Sequence, residues 1–174
     1  GATINYVGNL TRNNLGRFLA NSGTARIVKS TAGAQEIAGG FTGANAFYNL
    51  EVDHTGPANE VTVPFDEIEI TNLLDLIAGE LTPFGFVGVP GLEPPDIFVN
   101  VPGVDSASMG VSVSSTVNGP RANGGFVNGT VRRSFDNSLG NRLFPVGTPS
   151  QYTPITMSVV SGNTAGGGAV RVSA

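Results

Sequence analysis

The chain of 174 residues contains no cysteine and no tryptophan. Without thiols it has no disulfides, no catalytic thiolate and no cysteine-based zinc site. Charge is also scarce, because only 13% of the residues are charged and the net charge is −4. Nucleic acid is therefore not an expected partner, since phosphate recognition needs a basic surface and Arg132-Arg133 is the only adjacent basic pair.

Long apolar runs are absent as well. No stretch reaches the roughly 20 apolar residues of a membrane-spanning helix, so membrane insertion is not expected. The chain starts at Gly1 without an initiator methionine or a charged and apolar leader. We therefore expect a processed or excised chain, which is compatible with an extracellular or cell-surface location.

The chain is rich in glycine and proline, the residues typical of turns. Its 25 glycines and 11 prolines separate short segments that alternate apolar and polar residues. Val61 and Val63, and then Ile68 and Ile70, follow this alternation. We predict an all-β fold, with a solenoid-like stack or coil of short strands and a small antiparallel, sandwich-like meander. The expected parts are 1–82 for the stack, 83–108 for a proline-rich ordered loop and 109–174 for the meander, in one compact unit.

Residues 126–157 are predicted to form three short strands joined by sharp turns. Asn-Gly and Pro-x-Gly supply the backbone conformations that such turns need. We expect 130–135 to pair with 142–144, which places Val131 and Arg133 on the buried face and Arg132 on the other. Arg133 should then lie beside apolar groups, with its charge reaching water or a carboxylate.

Two sets of short motifs, spanning roughly residues 33–160, carry a resemblance. The first set is Gly129-x-Val131-Arg132-Arg133-x-Phe135, Phe144-Pro145-Val146-Gly147-Thr148 and Tyr152-x-Pro154-Ile155-Thr156. The second is Gly33-Ala34-Gln35-Glu36-Ile37-Ala38-Gly39-Gly40 and Phe47-Tyr48-Asn49-Leu50-Glu51-Val52. Together they resemble the all-β repeat module of large Bacteroidota surface proteins that are exported by type IX secretion. The resemblance implies a structural module and brings no catalytic residues. Asp105-Ser106-Ala107 resembles the O-glycosylation acceptor of exported proteins of that phylum, so Ser106 is an expected glycosylation site.

Three segments allow alternative interpretations. Residues 15–20 have helical character over about a turn and a half. Residues 71–79 fit a helix, or a strand with Leu74, Leu76 and Ala78 on one face, and the module resemblance favours the strand. The proline-rich segment 83–102 departs from the module, which has a short turn there. We expect it to cap the open end of the strand stack, with ligand binding as the alternative.

No group of residues is predicted to carry chemistry. His54 is the only histidine, and its place after the strand 47–52 suggests an exposed turn. Asp66, Glu67 and Glu69 could hold a hard cation, but along a strand they cannot converge, so a solvated acidic face is favoured. Neither a G-x-S-x-G nor an H-E-x-x-H motif occurs. We expect no cofactor, no metal and no catalytic residue.

The function expected from the sequence is a non-enzymatic extracellular structural protein, either an adhesin repeat or a subunit of a surface filament. Its expected partners are copies of itself or neighbouring repeats. Sheet edges need blunting in soluble monomers, and the chain has a single lysine, Lys29. The uncharged first strand is therefore predicted to add to a neighbour, through Ala2, Thr3, Ile4, Asn5, Tyr6 and Val7.

Two other functions remain as alternatives. The first is a glycan-binding module of a secreted surface protein, and the less favoured one is a polysaccharide-cleaving enzyme. Exposed aromatic faces usually serve glycan binding, but Tyr48 and Tyr152 lie in strand patterns and are expected in the core.

Overall fold

A computed structural model describes residues 1–13, 15–29, 33–55, 60–64, 67–84, 97–99, 125–135, 140–159 and 168–174. Most of these residues lie in strands, and one short 3-10 turn occupies Gly43–Asn45. The first eight strands are β1 (Thr3–Tyr6), β2 (Leu10–Thr11), β3 (Thr24–Lys29), β4 (Gln35–Ala38), β5 (Phe47–His54), β6 (Glu60–Pro64), β7 (Ile68–Ala78) and β8 (Glu80–Phe84). The others are β9 (Ile97–Val99), β10 (Phe126–Val127), β11 (Thr130–Phe135), β12 (Gly140–Phe144), β13 (Gly147–Thr148), β14 (Gln151–Tyr152), β15 (Ile155–Val159) and β16 (Gly168–Ser173).

From β1 to β11 the chain winds into a coil between two sheets. The odd-numbered strands form one sheet in the order β1-β3-β5-β7-β9-β11, which β16 extends, and the even-numbered strands form the other in the order β10-β8-β6-β4-β2. All neighbours within the coil pair in parallel. Leu50 lies in register with Ala25 on one side and Leu74 on the other, so one turn of the coil takes about 24 residues. The predicted all-β coil of short strands is confirmed.

The core lies between the two sheets because alternate residues of each strand point inward. Leu74, Leu76 and Ala78 of β7 are buried, as the strand interpretation of this segment predicts. On the other sheet, Val61 and Val63 of β6 are fully buried. Short segments with two or three inward residues each are enough, because every turn stacks on the one before it.

The C-terminal part adds antiparallel pairing to the coil. Strand β16 runs antiparallel along β11, β12 pairs with β15, and β13 with β14. The predicted pairing of 130–135 with 142–144 is wrong, because β11 is already flanked by β9 and β16. The inward direction of Val131 and Arg133 is nevertheless confirmed, since both are fully buried. Parallel pairing also continues through β9, β10 and β11, well beyond the expected boundary at residue 82.

Three local expectations are corrected by the structure. Residues 15–20 form no helix, since one and a half turns cannot offset the cost of nucleation. Residues 97–99, expected in a loop, form β9 inside the large sheet. Strict alternation through β5 would place Phe47 on the outer face with Asn49 and Glu51. Phe47 is buried instead, because a register irregularity at Phe47/Asn49 shifts the alternation within β5.

Several expectations fall on segments outside the described residues. These include the Ser106 acceptor, Asp66, the first part of the expected meander (109–124) and most of the proline-rich segment 83–108. They stay predictions.

Candidate functional site

Two sheet edges lie at the same end of the coil. Strand β1 is the outermost strand of the large sheet, and β2 is the outermost strand of the five-stranded sheet. Within the described part of the chain, each pairs with a strand on one side only. At the opposite end of the coil, β16 covers the edge of β11, and Val146 bridges to Val127 of β10. The last turn of the coil is thus covered by added strands, with β16 as the outer edge of the large sheet, and the first turn presents open strand edges at the N-terminal end.

Apolar surface is concentrated at this open end. Five large apolar side chains are exposed among the described residues, and four belong to the first nineteen residues: Ile4 (56%), Val7 (67%), Leu15 (97%) and Leu19 (63%). The fifth, Ile155 (44%), lies on β15. Ile4 is in register with the buried Ala25, so it faces inward at a level where no further turn covers it. The predicted intersubunit strand therefore has both an unpaired edge and an apolar surface.

A buried glutamine fixes this end to the next turn. The Gln35 side chain, only 1% exposed, donates through Nε2 to the carbonyls of Tyr6 (3.1 Å) and Gly8 (2.8 Å). These carbonyls follow β1, where the chain bends towards β2, so one amide satisfies two acceptors of an irregular segment. Gly39 closes the other side, since its φ of +107° suits glycine and a Cβ there would lie 1.8 Å from the Arg12 carbonyl oxygen. Both residues belong to the motif 33–40.

Three phenylalanines close the interior of the coil below this end. Phe18, from the segment that was expected to be helical, meets Phe41 and Phe47 edge-on at centroid distances of 5.2 and 5.1 Å. Phe41 and Phe47 stack at 4.7 Å. Asn45 holds the segment in place by accepting the Phe18 amide at 3.0 Å. The segment 15–20 thus serves as a cover, and its order comes from tertiary contacts.

The outer face of the large sheet carries rows of polar side chains. Asn49 donates to Thr24 (3.0 Å), and Asn72 donates to Asn49 (2.7 Å), so these side chains bond from strand to strand. In the next row, Arg26 pairs with Glu51 and with Asp53. Neighbouring side chains of stacked strands are close enough for such pairs to form between one turn and the next.

The single histidine is buried, so the expectation of an exposed turn is wrong. Strand β5 continues to His54, which lies in phase with the inward Leu50 and Val52 and has no exposed surface. Burial lowers the pKa of the His54 imidazole, and the neighbouring Lys29 ammonium lowers it further. Backbone groups of His54 and Gly33 near the ring act in the opposite direction on this pKa, but the two lowering effects are larger. A neutral, enclosed imidazole beside a lysine is consistent with a packing role in the core.

The described acidic residues of the 66–69 cluster are engaged separately. Glu67 pairs with Arg132, and Glu69 accepts the Gly43 amide at 2.8 Å. The described residues contain no group of three or more potential metal ligands. Nor do they include a helix long and apolar enough to cross a membrane.

Two arginines of the C-terminal part, Arg133 and Arg142, are fully buried. Arg133 donates to the Leu143 carbonyl at 3.1 Å, and Arg142 donates to the Asn141 carbonyl at 3.2 Å. The sequence suggests the inward direction of Arg133 through its alternation with Val131. It gives no comparable signal for Arg142.

Tyr48 and Tyr152, expected in the core, are both only partly buried. Tyr48 lines a groove of about 230 Å³ on the outer surface, between residues 19–21, the 3-10 turn and Thr71. Sequence alternation missed this groove because the irregularity in β5 turns Tyr48 and Asn49 outward in succession.

Comparison of the chain with protein-family models, with curated proteins and with solved structures found no match.

Proposed function

We propose that the chain is a non-enzymatic structural protein of the cell surface or extracellular space, which associates with copies of itself through strand edges. The observation that carries the proposal is the open end of the coil, where the edges of β1 and β2 coincide with four exposed apolar side chains. Unpaired N–H and C=O groups are templates for another strand, and the apolar side chains add a driving force for covering them.

Strand β16 is the natural counterpart of β1. The two strands lie at opposite edges of the same seven-stranded sheet. A neighbour that joins its β16 to β1 would extend the sheet, and the same contact could repeat without closing. Because β16 runs antiparallel to the coil strands, the joining pair would be antiparallel. This supports a filament subunit or a repeat of a long adhesin, with the coil axis along the assembly.

A charge at the open end tests the proposal. In Ile4→Lys, association through β1 would bury an ammonium group, which is strongly unfavourable. We expect the unmodified chain to form concentration-dependent oligomers in sedimentation velocity, and Ile4→Lys to stay monomeric. The matched control is Ile155→Lys, which places the same charge at a similarly exposed isoleucine on β15 and should leave association intact.

The result would contradict the proposal if the unmodified chain stayed monomeric at high concentration, or if both variants associated equally. Removing residues 1–8 is a less clean test. It would also deprive the Gln35 amide of the Tyr6 and Gly8 carbonyls, and so disturb the next turn.

A further inference from the structure

The groove beside Tyr48 has a neutral, mixed lining. It is formed by eight residues, of which Asn21, Thr71 and Tyr48 are polar, and the rest are small or apolar: Leu19, Ala20, Gly43, Ala44 and Ala46. None of these side chains carries a charge. Binding sites for small molecules typically combine apolar walls with a few fixed polar groups, as this groove does.

The backbone is shaped to turn Tyr48 into the groove. Phe47 pairs with Ile70 and Asn49 with Leu73, so β7 uses one more residue than β5 over this step. Such irregularities re-aim side chains and are common beside functional sites. Here the result is that Tyr48 is partly exposed between two buried positions, Phe47 and Leu50.

The walls of the groove are held by hydrogen bonds. The Gly43 amide, at the start of the 3-10 turn, donates to the Glu69 carboxylate at 2.8 Å, and the Ala46 amide closes the turn on the Gly43 carbonyl at 3.1 Å. Thr71 donates to the Phe47 carbonyl at 3.1 Å. A groove that is already ordered loses little conformational entropy when a ligand binds.

One further polar side chain, that of Asn72, lies on the same outer face of the sheet. Asn72 is exposed and follows Thr71. An amide side chain offers two N–H donors and a carbonyl acceptor. Asn72 uses one of its donors in the hydrogen bond to the Asn49 side chain. Together with Asn21 and Thr71 of the lining, Asn72 supplies groups of both hydrogen-bonding types on the face of the sheet that carries Tyr48.

We propose that this groove binds a neutral sugar residue of an oligo- or polysaccharide, with Tyr48 packed against the apolar face of the sugar ring. A sugar ring has C–H groups on its faces and hydroxyls around its edge, which matches an aromatic wall beside amide and hydroxyl groups. The uncharged lining disfavours uronic acids and sulfated sugars, because a buried charge without a partner is costly. The lining takes residues 19–21 from the end of the first turn and its other residues from the next two turns. Ile4, the residue changed to test association through β1, lies outside this lining.

The test uses the full chain and soluble hexasaccharides. The neutral probes are cellohexaose, mannohexaose and xylohexaose, and the charged probe is hexagalacturonic acid. Titration calorimetry measures affinity, and amide shifts in NMR locate the site at residues 43–48. We expect at least one neutral probe to bind, and Tyr48→Ala to weaken it by at least about tenfold, as expected for the loss of an aromatic contact. Tyr48→Phe should stay within about threefold of the parent, because the ring is kept.

A second variant keeps the tyrosine and fills the groove. Ala44 is exposed in the 3-10 turn, so Ala44→Trp should fold and block the ligand. Its matched control is Ala34→Trp, which changes an exposed alanine on a different turn and should leave affinity unchanged. The proposal is overturned if no neutral probe binds at about 10 mM, where even a millimolar affinity would be seen. It is also overturned if hexagalacturonic acid binds as well as the neutral probes, or if Tyr48→Ala and Ala44→Trp bind like the parent.

Discussion

Gln35 provides the sharpest test of how the open end of the coil is held. Its side chain is buried, and its Nε2 donates to the carbonyls of Tyr6 at 3.1 Å and Gly8 at 2.8 Å. Gln35→Met has nearly the same volume but no donor, so it leaves both carbonyls without this partner. An unsatisfied buried polar group costs about 1–3 kcal/mol. We expect Gln35→Met to lower the free energy of unfolding by about 2 kcal/mol.

Gln35→Glu adds a charge to the same change. At pH 7 a buried carboxylate would face two carbonyl oxygens with no proton to donate, so the loss should exceed that of Gln35→Met and reach about 3 kcal/mol or more. At pH 4 the protonated carboxyl can donate one hydrogen bond again. The deficit of Gln35→Glu relative to the unmodified chain should therefore shrink as the pH falls.

Urea unfolding at both pH values measures these differences, and hydrogen exchange locates them. The Thr24 amide, which donates to the Ala2 carbonyl at 2.8 Å, should exchange faster in both variants because β1 is held less firmly. Equal urea midpoints for Gln35→Met and the unmodified chain, or a Gln35→Glu deficit that does not change with pH, would refute this account of the turn.

Three further predictions follow from burial and backbone geometry. Gly39→Ala should lower the free energy of unfolding by at least about 2 kcal/mol, because the φ of +107° disfavours a side chain and the Cβ would collide with the Arg12 carbonyl. The control, Gly8→Ala, should be nearly neutral, because a Cβ there meets no atom within 4 Å. Equal urea midpoints for the two would contradict this. Arg133→Ala should lower the free energy of unfolding by about 3 kcal/mol or more, because a buried side chain is lost. Arg132→Ala removes a partly exposed ion pair and should lower it by at most about 1 kcal/mol. The reverse order in urea unfolding would be inconsistent with the burial. The pKa of His54 is lowered in the folded chain, so as the pH falls below 6.5 the unfolded chain takes up a proton before the folded chain does. Stability should therefore fall from pH 6.5 towards pH 5. Urea midpoints measured across this range should show a smaller loss in His54→Leu.

The sequence predicts the strands better than their partners. Alternation in β7 identifies the inward residues Leu74, Leu76 and Ala78 because buried and partly exposed residues alternate without a break from Leu74 to Ala78. The same reasoning gives the inward direction of Arg133 but not the pairing of β11, since β9 and β16 lie 34 and about 40 residues away along the chain. Alternation describes one strand and contains no information on which distant strand lies beside it.

The candidate sites were harder to predict because each depends on a break in regularity. Tyr48 was expected in the core, and only the irregularity shared with β7 turns it outward. His54 was expected outside because β5 continues two residues further than the apolar pattern suggests. The first strand, in contrast, was recognisable as an edge from its lack of charge. Neither the groove nor the role of Gln35 leaves a local pattern, since both bring together residues from different turns.

The placement of β1 and β16 at opposite edges of one sheet determines how the protein would respond to tension. A pull between these two strands acts along the line of the interstrand hydrogen bonds, so the load falls on the outermost strand at each moment. Strands would peel away one at a time, in contrast to strands sheared along their length, which resist through many bonds at once. Because each turn contacts mainly its neighbours, release proceeds turn by turn. A turn of 24 residues, as between Leu50 and Leu74, extends by about 80 Å when freed, which makes the coil a dissipative element that lengthens in steps under load.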